Sequence, residues 1–387
     1  MSSHPNNEPI LDYEPGSTEK EALLKELNRQ MEEIIEIPCI INGEKIYTNN
    51  TVTQVIPHNH SHVIANVHLA GKREIEKACQ SAIEAQKGWI ELGMDKRAQI
   101  FEECAELLAG KWRMKINAST MLNQSKTAFQ AEIDAACELI DFWKFNAHYV
   151  REFHEQYQPL VSPEGNLNTT EIRPLEGFVL AVTPFNFTSI AANLPSAPAM
   201  VGCTALWKPS RNSYHSNYLL MELMMEAGLP AGVINFLPGS GSEITETCLS
   251  NPDFAGLHFT GSTAVFQGIW QRIAEALPNL RSYPRIVGET GGKDFVVAHP
   301  DCDTRGLLVA LLRGAFEYQG QKCSAASRAY VPKSVWDKMG DSLVSEVNKI
   351  KMGDASDFSN FMTAVIDERA FDKISGYINR ASKDSNC

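Results

Sequence analysis

Gly177-Phe178-Val179-Leu180-Ala181-Val182-Thr183-Pro184-Phe185-Asn186-Phe187 reads as a buried strand that stops at polar residues and a proline. Five apolar residues in a row leave no polar face, so both sides of such a strand must be covered. From here on the period alternates. Residues 191–202 predict a short helix, Ala205-Leu206-Trp207 a strand running into Lys208-Pro209-Ser210, and residues 213–228 a helix. Residues 233–236 and 256–259 read as strands, 263–277 as a helix, and Arg285-Ile286-Val287 as a strand. The repetition implies a parallel sheet with helices on both faces. Ligands then bind at the carboxyl ends of the strands.

Upstream, residues 1–20 read as a loosely held arm. Residues 21–35 have helical spacing, with Leu23, Leu24, Leu27, Met31 and Ile35 on one stripe. Ile37-Pro38-Cys39-Ile40-Ile41, Asn42-Gly43 and Lys45-Ile46-Tyr47 predict a hairpin, because Asn-Gly suits its turn. His58-x-His60-x-His62 shares one face of a strand, but no cysteine or carboxylate completes a metal set, so a solvated polar edge is expected and no metal. Residues 72–87, 94–108, 111–124 and 130–150 are patterned as helices. Residues 154–173, with Pro159, Pro163 and Gly165, suggest a protruding two-stranded arm between subunits. Downstream, strand 295–298, helix 306–316, strand 327–331, helix 334–350 and helix 370–381 form a second block. It stops at Lys383-Asp384-Ser385-Asn386-Cys387, where a further strand is expected.

The 387 residues suffice for two or three domains. A net charge of -12 argues against a nucleic-acid partner, which needs clustered Lys and Arg. The longest apolar runs, such as 307–312, fall far short of the ~20 residues of a membrane span. Nine cysteines without a C-x-x-C pair fit free thiols in a reducing compartment. The first twenty residues lack the apolar core of a signal peptide, and Glu8, Asp12, Glu14 and Glu19 argue against a transit peptide. The expectation is a cytosolic protein or a form lacking its leader.

Five motifs carry chemistry. Phe316-Glu317-Tyr318-Gln319-Gly320-Gln321-Lys322-Cys323-Ser324-Ala325 places a cysteine just past an apolar helix. A thiol attacks as thiolate and needs a lowered pKa or a nearby base. Taken alone, Cys323 is one more small hydrophobe. Pro184-Phe185-Asn186-Phe187 adds a side-chain amide, and Trp207-Lys208-Pro209-Ser210 a cation at a sheet edge. Phe259-Thr260-Gly261-Ser262 opens a helix whose first amides suit a pyrophosphate. Gly288-Glu289-Thr290-Gly291-Gly292-Lys293 places a carboxylate beside glycines that admit close backbone approach. Each is weak alone; the ordered set is specific.

That set resembles the aldehyde dehydrogenase superfamily, from about residue 37 to the end. Residues 130–142, 175–178, 184–187, 316–318 and 320–325 are similar to the branch that oxidises glutamate γ-semialdehyde, the Δ1-pyrroline-5-carboxylate dehydrogenases. The resemblance implies an α/β fold with a Rossmann-type parallel sheet domain, an incomplete α/β catalytic domain and a β arm. It assigns residues 1–36 to an arm and helix, 37–153 and 174–289 to dinucleotide binding, 154–173 to oligomerisation, and 290–387 to catalysis. It also implies a homodimer or higher oligomer, and a mitochondrial matrix location.

By the same resemblance Cys323 attacks the aldehyde, Asn186 with the Cys323 amide holds the oxyanion, and Glu289 is the general base. One such oxyanion donor is worth ~3 kcal/mol. Lys322 earns no role in activating the thiol, since adjacent side chains on extended backbone point apart. NAD is the implied cofactor, with Lys208 and Ser210 at the adenosine ribose, Gly261 and Ser262 at the pyrophosphate, and Pro184 and Phe185 alongside. There is no G-x-G-x-x-G; Gly239-x-Gly241 is a partial look-alike in a loop near the adenine. Arg211, three residues after Lys208, leaves NADP possible. Ser324 is implied to anchor the substrate carboxylate, Glu138 to belong to its pocket and Phe187 to wall the aliphatic chain. For Glu138 a plain exposed helix carboxylate stands as the alternative. The chain ends before the family's Glu-Ile-Phe-Gly-Pro segment and its later carboxylate-binding loop, so a truncated form holding its reactants poorly is expected. Two alternatives stay open: a chain that binds NAD or pairs with a full-length subunit without turnover, and an aldehyde dehydrogenase of another substrate range.

Overall fold

The computed structural model describes residues 4–159 and 161–385; residues 1–3, 160, 386 and 387, which include pieces of both expected arms and of the abrupt end, lie outside the described residues. Its main sheet has seven strands in the spatial order Arg285–Glu289, Phe254–Thr260, Phe178–Val182, Thr204–Lys208, Ile234–Phe236, Cys39–Ile41, Glu44–Ile46. The first five are parallel and the last two antiparallel. The chain winds outward from Phe178–Val182 through Thr204–Lys208 to Ile234–Phe236. It then crosses back to lay Phe254–Thr260 on the other side of its start. Strand order reverses between Phe178–Val182 and Phe254–Thr260, and in an open parallel sheet that crevice is where ligands bind.

Alternation along the strands divides the core in two. Ala205 and Trp207 pack into one apolar cluster with Phe101, Leu139 and Trp143, while Leu206 between them packs into another with Phe178, Leu180 and Phe254. Each large side chain so buried contributes about 1.5–3 kcal/mol. The hairpin Cys39–Ile41 to Glu44–Ile46 turns through Asn42 (φ 55°) and Gly43 (φ 74°), as the sequence predicts. The second block has parallel strands Phe295–Val297 and Arg328–Tyr330, covered by helices Thr304–Phe316 and Lys333–Asn348. Its own small core gathers Ala298, Leu307, Leu311, Val335 and Met339. No helix among the described residues is long and apolar enough to cross a membrane.

Several expectations need correction. The N-terminal arm is not loose. Glu8 and the Pro9 carbonyl bind Arg113 at 2.7 Å each, the Leu11 amide donates to Glu132 at 2.9 Å, and the Tyr13 hydroxyl donates to Glu132 at 2.6 Å. Arg113 and Glu132 are buried against each other, and such a pair needs every remaining donor and acceptor matched. The arm supplies those partners. The expected β arm at 154–173 has no strand among its described residues: helix Glu138–Gln156 runs into it, the Gln158 side chain ties the chain back to the Thr170 backbone at 3.1 and 3.2 Å, and the Asn168 backbone amide donates to the Ser162 hydroxyl at 2.9 Å.

His58 is not a solvated edge. It sits between strands Thr51–Ile56 and Asn59–His68, a pairing the sequence reading missed, with Nδ1 2.7 Å from Ser125 Oγ and Nε2 3.6 Å from Asp354. Gly239-x-Gly241 is not merely a loop, because Ser240 caps the helix Gly241–Leu249. The helix expected at 130–150 is interrupted by a π-helical turn, Glu132–Cys137.

Candidate active site

Parallel pairing explains why residues far apart in sequence meet at one sheet edge. Glu289 ends its strand opposite Thr260, and the Gly261 amide donates to the Glu289 carbonyl at 3.1 Å. Val182 pairs with Phe259 on one side and Lys208 on the other. The segment Thr183-Pro184-Phe185-Asn186 therefore leaves the sheet between the carboxyl ends that carry Gly261 and Lys208.

Cys323 comes to this edge from the second block. After helix Thr304–Phe316, Tyr318 (φ 51°) and Gln319 (φ 56°) both take left-handed backbone and turn the chain back. The Cys323 sulfur then lies 3.7 Å from Glu289 Oε1. Gly292 packs directly beneath this turn, where a Cβ would overlap the Cys323 carbonyl. Burial raises the thiol pKa, the Glu289 charge and hydrogen bond raise it further, and the amides of Ser324 and Cys323 oppose them. In this state the thiol keeps its proton, and Glu289 is the acceptor aimed at it. The Asn186 amide donates to the Gln321 carbonyl at 2.9 Å, so it stands beside the nucleophile loop.

Glu138 follows the π-helical turn and accepts a short hydrogen bond from the Ser189 hydroxyl. Burial pushes its pKa up to about 6; Asp134 adds to the rise, while Ser189, Lys126 and Lys322 oppose it. It is therefore not a plain exposed helix carboxylate. Phe187 is buried, its ring centroid 4.5 Å from Lys126 Nζ and 5.4 Å from Lys322 Nζ. Ser324 is exposed beside Cys323. Lys322 itself turns to Asp134 at 2.9 Å and Glu317 at 3.4 Å. Sequence reasoning missed Lys126 and Asp134, which form a buried ion pair at 2.5 Å. Nothing in Gln124-Ser125-Lys126 marks that lysine as buried; it follows the left-handed Ser125 (φ 52°) and turns inward to Asp134.

The residues on the opposite side fit a dinucleotide. Burial alone pushes the Lys208 ammonium down to about 8, with no carboxylate among the described residues to oppose it. Such a group lacks a partner that ribose hydroxyls supply. A Cβ on Gly241 would lie 3.9 Å from Lys208 Cε, so the helix missed in the sequence begins beside it. Ser262 caps helix Thr263–Ala276, whose free first-turn amides suit a pyrophosphate. Pro184 is buried and Phe185 half-buried nearby in the chain, and Ser210 is half-buried with its hydroxyl 3.5 Å from the Asn212 amide. Arg211 is exposed and lines a cleft of about 560 Å³ with Tyr214, Gly239 and Ser240.

Residues 46–386 match the aldehyde dehydrogenase family. The chain is 47% identical over 383 residues to Delta-1-pyrroline-5-carboxylate dehydrogenase of Agaricus bisporus, an alignment spanning 98% of this chain and 69% of that protein. It is 46% identical over 379 residues to the Delta-1-pyrroline-5-carboxylate dehydrogenase, mitochondrial, of Dictyostelium discoideum, spanning 97% of this chain and 68% of that one. The crystal structure of the Delta-pyrroline-5-carboxylate dehydrogenase from Mycobacterium tuberculosis bound with NAD aligns at 48% identity and a TM-score of 0.96, covering 98% of this chain and 71% of that chain. With its motif residues gathered at the carboxyl edge of the sheet, the chain belongs to the aldehyde dehydrogenase family.

Proposed function

We infer that this chain oxidises L-glutamate γ-semialdehyde, the open form of Δ1-pyrroline-5-carboxylate, to L-glutamate with NAD, a step of proline catabolism. The observation that carries this reading is 47% identity, over 98% of the chain, to a protein of that name. The geometry supports the roles as follows. Glu289, 3.7 Å from the Cys323 sulfur, takes the thiol proton, and the thiolate adds to the aldehyde carbon to form a thiohemiacetal. Its oxyanion is received by the Cys323 amide and by Asn186, which exchanges the Gln321 carbonyl for it. A bound NAD would supply the hydride acceptor for this carbon. Glu289 first gives the thiol proton to solvent. It then takes a proton from the water that attacks the thioester on Cys323, glutamate leaves with its new carboxyl proton lost to solvent, and the Glu289 proton returns to the thiolate to restore the thiol.

Glu138 faces the substrate ammonium, Ser324 its carboxylate, and Phe187 its methylenes. Lys208 and Ser210 hold the ribose of the adenosine half, Gly261 and Ser262 the pyrophosphate, with Pro184 and Phe185 beside them. We place the protein in the mitochondrial matrix, the Dictyostelium relative being named mitochondrial, and as a homo-oligomer. Organelle fractionation and light scattering test these two points.

The decisive experiment follows NADH absorbance with purified chain and pyrroline-5-carboxylate. Turnover that exceeds that on succinate semialdehyde and simple aliphatic aldehydes, and that vanishes in Cys323→Ala, supports the reading. A second reading is a chain that binds dinucleotide without turnover. It draws on the exposure of Glu289 and on the uncovered Val287, Phe295 and Val297 around the second block. Saturable NAD binding with no NADH formed distinguishes it.

A further inference from the structure

Behind the Cys323 loop lies a charged cluster that the chemistry above leaves unused. Lys126 is fully buried, one residue past helix Arg113–Gln124 and its left-handed cap Ser125. Its Nζ donates to Asp134 Oδ2 at 2.5 Å and sits 4.5 Å from the Phe187 ring centroid and 4.4 Å from that of Tyr318. Lys322 Nζ reaches the same Asp134 oxygen at 2.9 Å. A buried ammonium persists when it is paired, and one held over two ring faces is attracted by both. Burial lowers the Lys126 pKa to about 8, Asp134 and Glu138 act against Lys322 to restore it, and the group is charged at neutral pH.

These partners come from separate parts of the chain that must agree for catalysis. Phe187 adjoins Asn186. Tyr318 and Lys322 belong to the loop that ends in Cys323, and Asp134 stands on the π-helical turn Glu132–Cys137. The loop needs a fastening, because two consecutive left-handed residues that are not glycine persist only where the surroundings over-determine them. Tyr318 receives that from its hydroxyl, which donates to the Gln124 carbonyl at 2.8 Å, and from the Lys126 ammonium against its ring.

We propose that Lys126 is a positioning residue for the reaction: anchored by Asp134, it ties the Asn186 segment, through Phe187, to the Cys323 loop, through Tyr318. This rests on reading Cys323 as nucleophile and Asn186 as oxyanion donor. Without the tie the thiol survives, but the loop relaxes away from Glu289 and from the oxyanion donors.

The test uses Lys126→Met, which keeps length and removes charge, and Lys126→Met/Asp134→Leu, which removes both buried charges should the single variant misfold. Three quantities are read: hydrogen exchange over residues 314–326, alkylation of Cys323 by iodoacetamide with the half-buried Cys302 as internal reference, and steady-state kinetics. Freed from the charge of Glu289, Cys323 is expected to alkylate about tenfold faster relative to Cys302. Meanwhile kcat falls about 100-fold and the aldehyde KM moves less than about threefold. A purely structural role would instead speed exchange throughout and raise Cys302 reactivity in step. Wild-type alkylation and kcat in a folded variant overturn the proposal. So does wild-type exchange at residues 318–323 as fast as at the exposed segment 161–170, a result that needs no variant. If the wild-type chain makes no NADH, the dehydrogenase reading falls, while the alkylation and exchange results still decide the fastening.

Discussion

Burial and Glu289 set the protonation of Cys323. The carboxylate 3.7 Å away keeps the thiol protonated and is also its proton acceptor. Asn186 donates to a loop carbonyl at rest, so its amide is already within the nucleophile's reach. Asn186→Ala is expected to lower kcat by about 10²–10³-fold with little change in aldehyde KM, read by steady-state kinetics. Glu138 carries a pH signature. With its pKa raised to about 6 by burial, it is neutral below that pH and charged above it. A substrate ammonium held by it binds more tightly as pH rises from 5 to 7, so KM falls over that window. In Glu138→Gln that limb disappears; a wild-type KM flat from pH 5 to 7 would rule out this role for Glu138.

At the scale of elements, the site depends on two close fits. The segment after strand Arg285–Glu289 runs beneath the Cys323 carbonyl and tolerates no side chain at Gly292. Gly292→Ala must displace that carbonyl, and overpacking of this kind costs about 1–3 kcal/mol. We expect a lowered unfolding midpoint and at least a tenfold loss of turnover, the second exceeding what the first explains. The other fit is the N-terminal segment, which supplies Tyr13 to buried Glu132 at the head of the π-helical turn. Tyr13→Phe leaves that carboxylate one donor short, at about 1–3 kcal/mol. Denaturant unfolding measures the loss, and an unchanged midpoint would show that Arg113 and the Asn117 amide, which donates to Glu132 at 2.7 Å, suffice.

For the whole molecule, the buried thiols set the alkaline limit of stability. Burial pushes Cys39 and Cys137 up to about 12, and Cys104, Cys203 and Cys248 are raised as well. A thiol whose pKa is raised on folding contributes stability below its unfolded value near 9, and that is lost as pH climbs above 9 because the unfolded chain ionises first. Lys126 and Lys208, lowered to about 8, act oppositely between about 8 and 10.5, and Lys115, lowered by burial as well, acts with them. Each group contributes a slope of at most about 1.4 kcal/mol per pH unit, so five thiols outweigh three lysines. Scanning calorimetry is expected to show Tm falling from pH 9 to 10; a rise would mean the lysines prevail.

Local pattern alone determined the class of this protein. Both-face burial of Phe178–Val182 and the alternation after it dictate a covered parallel sheet, and Asn42-Gly43 dictates its hairpin, because those features need only neighbouring residues. The same strands place Glu289, Gly261, Asn186 and Lys208 at their carboxyl ends, so the candidate site was largely legible too. The tertiary structure decided the rest. Lys126 is as polar as any surface lysine, and its burial follows from Asp134, Phe187 and Tyr318, which arrive from other parts of the chain. The N-terminal segment looked loose because its partners, Arg113 and Glu132, are a hundred residues away. The arm at 154–173 carried strand-like composition yet forms no ladder among its described residues, since a strand needs a partner that its own sequence does not supply.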